Sequence, residues 1–486
     1  MNLKTHAETP IYTGLDHYSK SGIIHFDVPG HKKNPASPLA EAFGERIALL
    51  DANSTKELDI LSNPTGIINK AERLMAEAYG SDYAFMLVNG STFGVLTMIM
   101  SACGPKDKII MPRNVHKSAV NGVILSGALP VFIDPEIDPE YGITNGITYN
   151  AVKEAIKENP DGKGIFLINP TYFGTVSDLK AIVKLAHRHG IPVLVDEAHG
   201  SHFPFHPDLP DAAMRIGADL STVSVHKTGG SLTQTSVLLL KEGLISKEKV
   251  RTIINLMQTT SASYLLLASL DLARKHLVLN GKKIWGELLP LCEKAKAEIG
   301  KIPGLSVISR DDYVNGKEIY DYDETKLVVR VNELGLTGFE VYDLFKTKYN
   351  IQLELAEAYV VLAITGPGDT EDNLTLLVNA FKDLSREYYG KKPPFRIPMT
   401  GFFERPKTVV APRDAFYGVK KSVPIREASG EISGESIMIY PPGIPLVIPG
   451  ERLTDQIIEH YNFYIEQNCM IMNDDGNANF IKVLGE

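Results

Sequence analysis

The stretch Ser224-Val225-His226-Lys227-Thr228-Gly229-Gly230 sets a lysine between polar residues and a glycine pair, with Gln234, Thr235 and Ser236 close behind. A lysine amine at such a place can form a Schiff base with an aldehyde. Ser224 and His226 alternate with the apolar Val223 and Val225, so a continuing strand would present both polar residues on one face near its end. Gly229 and Gly230 would let another backbone or a cofactor come close. Alone, such a lysine reads as a solvated surface residue. Its neighbours point instead to pyridoxal phosphate (PLP), which enzymes hold through that linkage.

PLP chemistry makes three further demands. The ring nitrogen needs a carboxylate to keep its proton, and Asp196 ends the apolar run IPVLVDEAHG, 31 residues before Lys227. Ala198, two residues on, would set a small methyl against a flat ring. The phosphate needs N–H donors and hydroxyls, and Asn89-Gly90-Ser91-Thr92-Phe93-Gly94 follows AFMLV where a helix is expected to begin, the geometry of an anion site. The bland alternative is ordinary capping by Ser91 or Thr92. The other ring face needs a flat partner, for which His116 in PRNVHKS is the candidate.

These side chains need a frame. Between 83 and 240, short apolar runs bounded by Gly, Pro or Asn alternate with helix-like segments. The strand candidates are YAFMLV, KIIMP, PVFIDP, GIFLINP, IPVLVDE, STVSVH and TSVLLL, and helices are expected near 92–102, 116–126, 150–158 and 178–189. This pattern predicts an α/β fold with a mostly parallel sheet, whose ligands bind beyond the carboxyl ends of the strands. The first 50 or so residues read as an extended arm with turns, and a helix begins near residue 65. Long helices follow over 249–300, a small α/β section over about 303–385, and then the Pro-rich linker KKPPFRIPMTGFFERP. The expected boundaries are 1–64 for the arm, 65–300 for a PLP-binding large domain, 301–390 for a small α/β domain and 391–486 for a C-terminal domain.

Composition narrows the class. The 486 residues carry 50 basic and 59 acidic side chains, a formal charge of −9, which argues against a polyanion binder. Cys103, Cys292 and Cys469 lie far apart, as in a protein of a reducing compartment. The start lacks the apolar core of a signal peptide, and no apolar run reaches the ~18–20 residues of a membrane span. A cytoplasmic enzyme that binds neither nucleic acid nor membrane is expected.

The stretch Thr222 to Ser236, TVSVHKTGGSLTQTS, resembles the PLP-attachment signature of the ornithine/lysine/arginine decarboxylases. The likeness extends to FDVPGHKK, NGSTFGV, RNVHKS, NPTYFG, DEAHG, TTSASYLLLASLD, PRDAF and YPPGIPLVIPGE, roughly residues 9 to 452. It implies the aspartate-aminotransferase-like fold, called fold type I, with a PLP large domain, a small α/β domain and a C-terminal domain. It also implies a homodimer or larger assembly with shared active sites. Because the chain starts almost at PGHKK, without the wing domain of the large relatives, a homodimer or dimer of dimers is expected.

Carried over position by position, the resemblance implies that Lys227 holds the cofactor, Asp196 pairs with its ring nitrogen and His116 stacks on the ring. Ala198 and His199 would lie beside the cofactor, while Ser91, Thr92 and Ser224 would hold the phosphate. His226 would sit by the Schiff base and take part in protonation. Thr259 or Thr260 would reach the neighbouring subunit's phosphate, the register between them being open. The implied activity is decarboxylation of a basic amino acid, with arginine to agmatine the first expectation. Lysine to cadaverine, ornithine to putrescine, and an aminotransferase or lyase of the same fold are the alternatives. A cationic substrate needs an acid facing it. Asp414 and Glu427 are the candidates, with Glu57 and Asp59 as alternatives. His199, His202 and His206 also raise a metal site, but the stretch is broken by prolines and no metal is expected.

Overall fold

Strands form where the apolar runs lie and stop where the sequence turns polar. The structure is a computed structural model that describes residues 2–397, 406–440 and 443–485. Residues 398–405 of the expected linker and Pro441 and Pro442 of YPPGIP lie outside the described residues. Along the chain come α1 (Ile67–Tyr79), β1 (Tyr83–Leu87), α2 (Gly90–Ala102), β2 (Lys108–Pro112), α3 (Lys117–Ser126) and β3 (Leu129–Ile133). Next are α4 (Tyr149–Glu158), β4 (Gly164–Ile168), α5 (Leu179–Arg188), β5 (Val193–Asp196), β6 (Leu220–Val223), β7 (Ser236–Leu240) and the long α6 (Tyr264–Ile299). Each apolar run named between 83 and 240 therefore holds a strand. The chain forms two compact units, each built from two segments: Met1–Ser101 with Pro192–Gly286, and Ala102–Ile191 with Glu287–Glu486.

In the first unit β5 and β6 run parallel, while β7 is antiparallel to both β6 and β1. The VLVD of β5 is buried throughout, as expected for a strand covered on both faces. Helix α2 lies so close to β6 that a Cβ on Gly94 would come 2.1 Å from Thr222 Oγ1. That contact explains a glycine inside a helix, where it is otherwise unfavourable by about 1 kcal/mol.

Two expectations are corrected here. Strand β6 ends at Val223, and Val225–Thr228 forms one helical turn, so Ser224 and His226 do not share a strand face. The turn closes with Gly229 N–H donating to Val225 O at 2.7 Å, an approach that a Cβ at 229, 2.8 Å from the same oxygen, would obstruct. The first 50 residues are also not simply extended, because helices occupy Pro10–Ser19, Pro38–Phe43 and Glu45–Leu50. The start of the first of these and the residues before it are tied down by two fully buried residues of α6. Asp271 accepts Ile11 N–H at 2.9 Å, and Arg274 donates to His6 O at 2.7 Å and to Asp271 at 2.8 Å.

The second unit contains β2 paired in parallel with both β3 and β4. Helix α5 matches its expected face: Leu179, Ile182, Val183 and Ala186 are buried, and Asp178 caps its start by accepting Ala181 N–H at 3.0 Å. The small α/β section supplies β8 (Lys326–Arg330), α7 (Gly338–Tyr349), β9 (Val360–Ile364) and α8 (Glu371–Tyr388), with β8 and β9 antiparallel. The final section adds β10 (Lys420–Pro424), β11 (Ile437–Tyr440), β12 (Ile444–Val447), α9 (Asp455–Glu466) and β13 (Phe480–Leu484). Its own core includes Ile425, Ile437, Val447, Ile457 and Val483.

Candidate functional site

In the first unit, the carboxyl ends of the parallel pair β5 and β6 carry Asp196 and lead into the Lys227 turn. Lys227 Nζ lies 2.9 Å from His199 Nε2. A lysine ammonium has only donors, so His199 Nε2 is the acceptor and a place for the lysine's proton to go. His226 Nδ1 lies 2.7 Å from Thr235 O. A carbonyl can only accept, so Nδ1 carries the proton and Nε2 is the basic nitrogen of the neutral ring.

Asp196 is 7% exposed and accepts one hydrogen bond, from Ala198 N–H at 3.1 Å. Burial pushes its carboxyl above the usual range, and the Lys227 charge and the Ala198 N–H pull it back without cancelling the shift. Ala198 alone is partly exposed among residues 191–200. Glu197, which the sequence reading did not single out, turns to a different set of partners. It accepts Ala213 N–H and the Ser221 hydroxyl, each at 2.8 Å, and burial pushes it up to about 8. The signal was a second acid beside Asp196, because neighbours on an extended chain point to opposite faces.

Ser91 in the first turn of α2 and Ser224 after β6 bring their hydroxyl oxygens within 2.8 Å of each other. Thr92 beside them is exposed. Asn89 precedes that turn and Gly90 opens it, and Gly90 N–H donates to Gln234 O at 2.8 Å, which ties the start of α2 to the loop after Lys227. Gln234 adopts a φ of 80° to present that carbonyl. The first N–H groups of a 13-residue helix have no partner within it, so this turn is suited to an anion. Thr259 and Thr260 are exposed between Met257 and Tyr264, and Thr259 accepts Ser261 N–H at 3.1 Å.

The remaining candidates have other settings. His116, in the second unit, caps α3, its Nδ1 accepting Ser118 N–H at 3.2 Å, which leaves the ring proton on Nε2. Just before it, Arg113 makes two bonds to Glu451, at 2.9 and 2.8 Å, and donates to Pro445 O and Leu446 O. This buried pair also escaped the sequence reading. Lys117 N–H donates to Gly443 O at 3.1 Å, so the RNVHK loop and the GIPLVIPGE stretch are bound together. Asp414 and Glu427 are exposed, and Glu427 lies 3.8 Å from Arg426 Nε. Glu57 is exposed, whereas Asp59 accepts N–H groups of Ile60, Thr65, Gly66 and Ile68 at 2.7–3.0 Å and organises the start of α1. His202 packs at 4.7 Å from the Trp285 ring and pairs with Thr228, while His206 accepts Asp208 N–H. Among the described residues no three His, Cys, Asp or Glu side chains cluster as metal ligands.

The described residues fit PLP. Asp196 is a buried acid with its charge only partly compensated, which a protonated ring nitrogen would complete, and two hydroxyls meet at a helix start suited to a phosphate. Residues 9–373 match the family described as "Orn/Lys/Arg decarboxylase, major domain", and residues 398–470 match its C-terminal domain. The chain belongs to the Orn/Lys/Arg decarboxylase family. Enzymes of this family are PLP-dependent decarboxylases of basic amino acids. An arginine decarboxylase of Bacillus subtilis is 43% identical over 482 residues, covering 99% of this chain and 98% of that one. One of Halalkalibacterium halodurans is 45% identical over 472 residues, covering 95% and 93%. The Francisella novicida lysine decarboxylase LdcF superposes with a TM-score of 0.85 at 21% identity, over 99% of this chain and 82% of that one. That likeness establishes the fold-type-I architecture expected from sequence. No described helix is long and apolar enough to cross a membrane.

Proposed function

We propose that the protein decarboxylates arginine to agmatine with PLP bound at Lys227. The observation that carries the chemistry is the single cluster in which the Lys227 amine, its acceptor His199 and the buried Asp196 meet at the carboxyl ends of β5 and β6. The choice of arginine is supported by near-full-length identity to proteins named arginine decarboxylase.

Bound PLP supplies an electron sink for the electron pair left on Cα when CO2 departs. The chain's own residues prepare that step. His199 Nε2 takes the proton from Lys227 Nζ, which makes the amine a nucleophile. Asp196 keeps a proton on the ring nitrogen, aided by burial that leaves its carboxylate short of other partners. Ser91, Thr92 and Ser224, with the first N–H groups of α2, hold the phosphate, and Ala198 offers a methyl to the ring. His116 would cover the other ring face, and His226, its Nδ1 proton held by Thr235 O, would take a proton from solvent on Nε2 and return it to Cα.

We assign the working unit as a homodimer, in which Thr259 or Thr260 reaches the partner's phosphate. The exposure of both threonines, next to a Leu256 that is 71% exposed, supports this. Asp414 and Glu427 remain the proposed acids for the substrate side chain. The test is turnover of arginine, lysine and ornithine with detection of CO2 and amine. Release from arginine alone supports the reading. Release from lysine or ornithine instead reassigns the substrate, and keto-acid formation replaces decarboxylation by transamination.

A further inference from the structure

The second unit holds a cavity of about 180 Å3, open to solvent on one side, beyond the carboxyl ends of β2 and β3. That is far above the roughly 10–15 Å3 needed by one water. Its wall is largely apolar and includes Ile143, Phe173, Ile444 and Leu446. Into it comes the side chain of Glu357, from the loop between Leu355–Ala356 and β9.

Among the described lining residues the basic groups are already engaged or neutral. Arg113 lies in the wall, but its guanidinium is bound by Glu451 and by the carbonyls of Pro445 and Leu446. His460 is kept neutral, its imidazole pushed down to about 4 by burial. Asp134 also lines the cavity and has a partner of its own. No hydrogen bond or ion pair from the described residues reaches the Glu357 carboxylate, and removal from bulk water alone pushes it up to about 8. Glu357 is partly buried, and an acid held against apolar surface is stabilised by anything that neutralises it. A proton can do so, and so can a cation with an apolar body.

We propose that this cavity is a binding site for a small organic cation, an ammonium or guanidinium on a short alkyl stem. Glu357 binds the head group and the Ile143, Phe173, Ile444 and Leu446 wall takes the stem. The head group brings the donors that the acid lacks, and the stem removes apolar surface from water. The site does not depend on the lysine chemistry, so it stands or falls separately from the proposed reaction.

Calorimetric titration of the PLP-loaded protein with n-butylammonium, n-butylguanidinium and the neutral 1-pentanol tests it. Either cation binds, the tighter one identifying the preferred head group, and 1-pentanol does not. Glu357→Gln weakens the cation by about tenfold or more. Ile444→Trp, which fills the cavity and keeps the acid, does the same and decides the matter should the first variant misfold. Binding at pH 7 releases a proton from Glu357, seen as a dependence of the heat on buffer ionisation enthalpy, and this signal disappears in Glu357→Gln. The other titratable groups facing Glu357 are Asp134, Arg113, His460, Tyr464 and Cys469, all retained in that variant. Turnover is unchanged in both variants. Absence of cation binding, equal binding by wild type and both variants, or binding of 1-pentanol as tightly as the cations would overturn the proposal.

Discussion

Two strand ends in this molecule set an acid and a base near each other, and they use them differently. After β2, Arg113 and Glu451 join through two parallel bonds, and Ile448 N–H adds a third to the same carboxylate at 2.9 Å. At the end of β5, Asp196 has one N–H donor, and burial still outweighs the influence of Lys227. The first acid is saturated from within the chain and fastens two sequence-distant segments. The second retains capacity for a group the chain does not supply. Burial alone does not separate a fastener from a reactive site; the number of filled acceptor positions does.

The largest test of this contrast is Lys227→Ala. Decarboxylation of every amino acid should disappear, together with the visible absorbance of bound cofactor, and retained turnover would remove the lysine from its role. Asp196→Asn comes next, lowering kcat by roughly 10²–10³-fold, the scale for loss of one preorganised electrostatic partner. Its urea midpoint without cofactor should hold or rise, because an uncompensated buried charge has gone. A fall would class Asp196 with Glu451. Glu451→Gln should destabilise the fold by about 3 kcal/mol in urea unfolding, since it strands the Arg113 charge. An unchanged midpoint would break the comparison from the other side.

The smallest effect concerns pH. Burial raises Glu197 to about 8, so the folded protein keeps a proton that the unfolded chain has released. Its stabilisation is complete below the ordinary glutamate range and is lost as pH rises through about 8. Glu72, raised by burial to about 7, acts with the same sign. Glu197→Gln should therefore flatten, without abolishing, the decline of the unfolding free energy between pH 5 and 8.

The sequence made the strands legible because apolar runs and their polar limits are local. Asp196 and Lys227 could be read for the same reason, each standing at the limit of such a run. Arg113 could not be matched to Glu451, because 338 residues separate them and neither has a local pattern that reports the other. The Pro10–Ser19 helix was read as arm because its hold on α6 depends on Asp271 and Arg274, far along the chain. The turn after Ser224 was missed because alternation in STVSVH continues past the point where the chain leaves the sheet. Glu357 gave no sign of itself, since the cavity it enters is made by stretches scattered from Arg113 to Tyr464.

The two-segment construction of the first unit has a consequence for biosynthesis. Ser91 leaves the ribosome with Met1–Ser101, but its hydroxyl partner Ser224 belongs to Pro192–Gly286. The whole of 102–191 must be translated in between. Strand β1 likewise waits for β7, its antiparallel neighbour. The nascent first segment therefore spends that interval with an unpaired strand and an open core, a form on which chaperones act. Cofactor capture can only follow the delivery of Lys227, so it is a late event in the making of the protein.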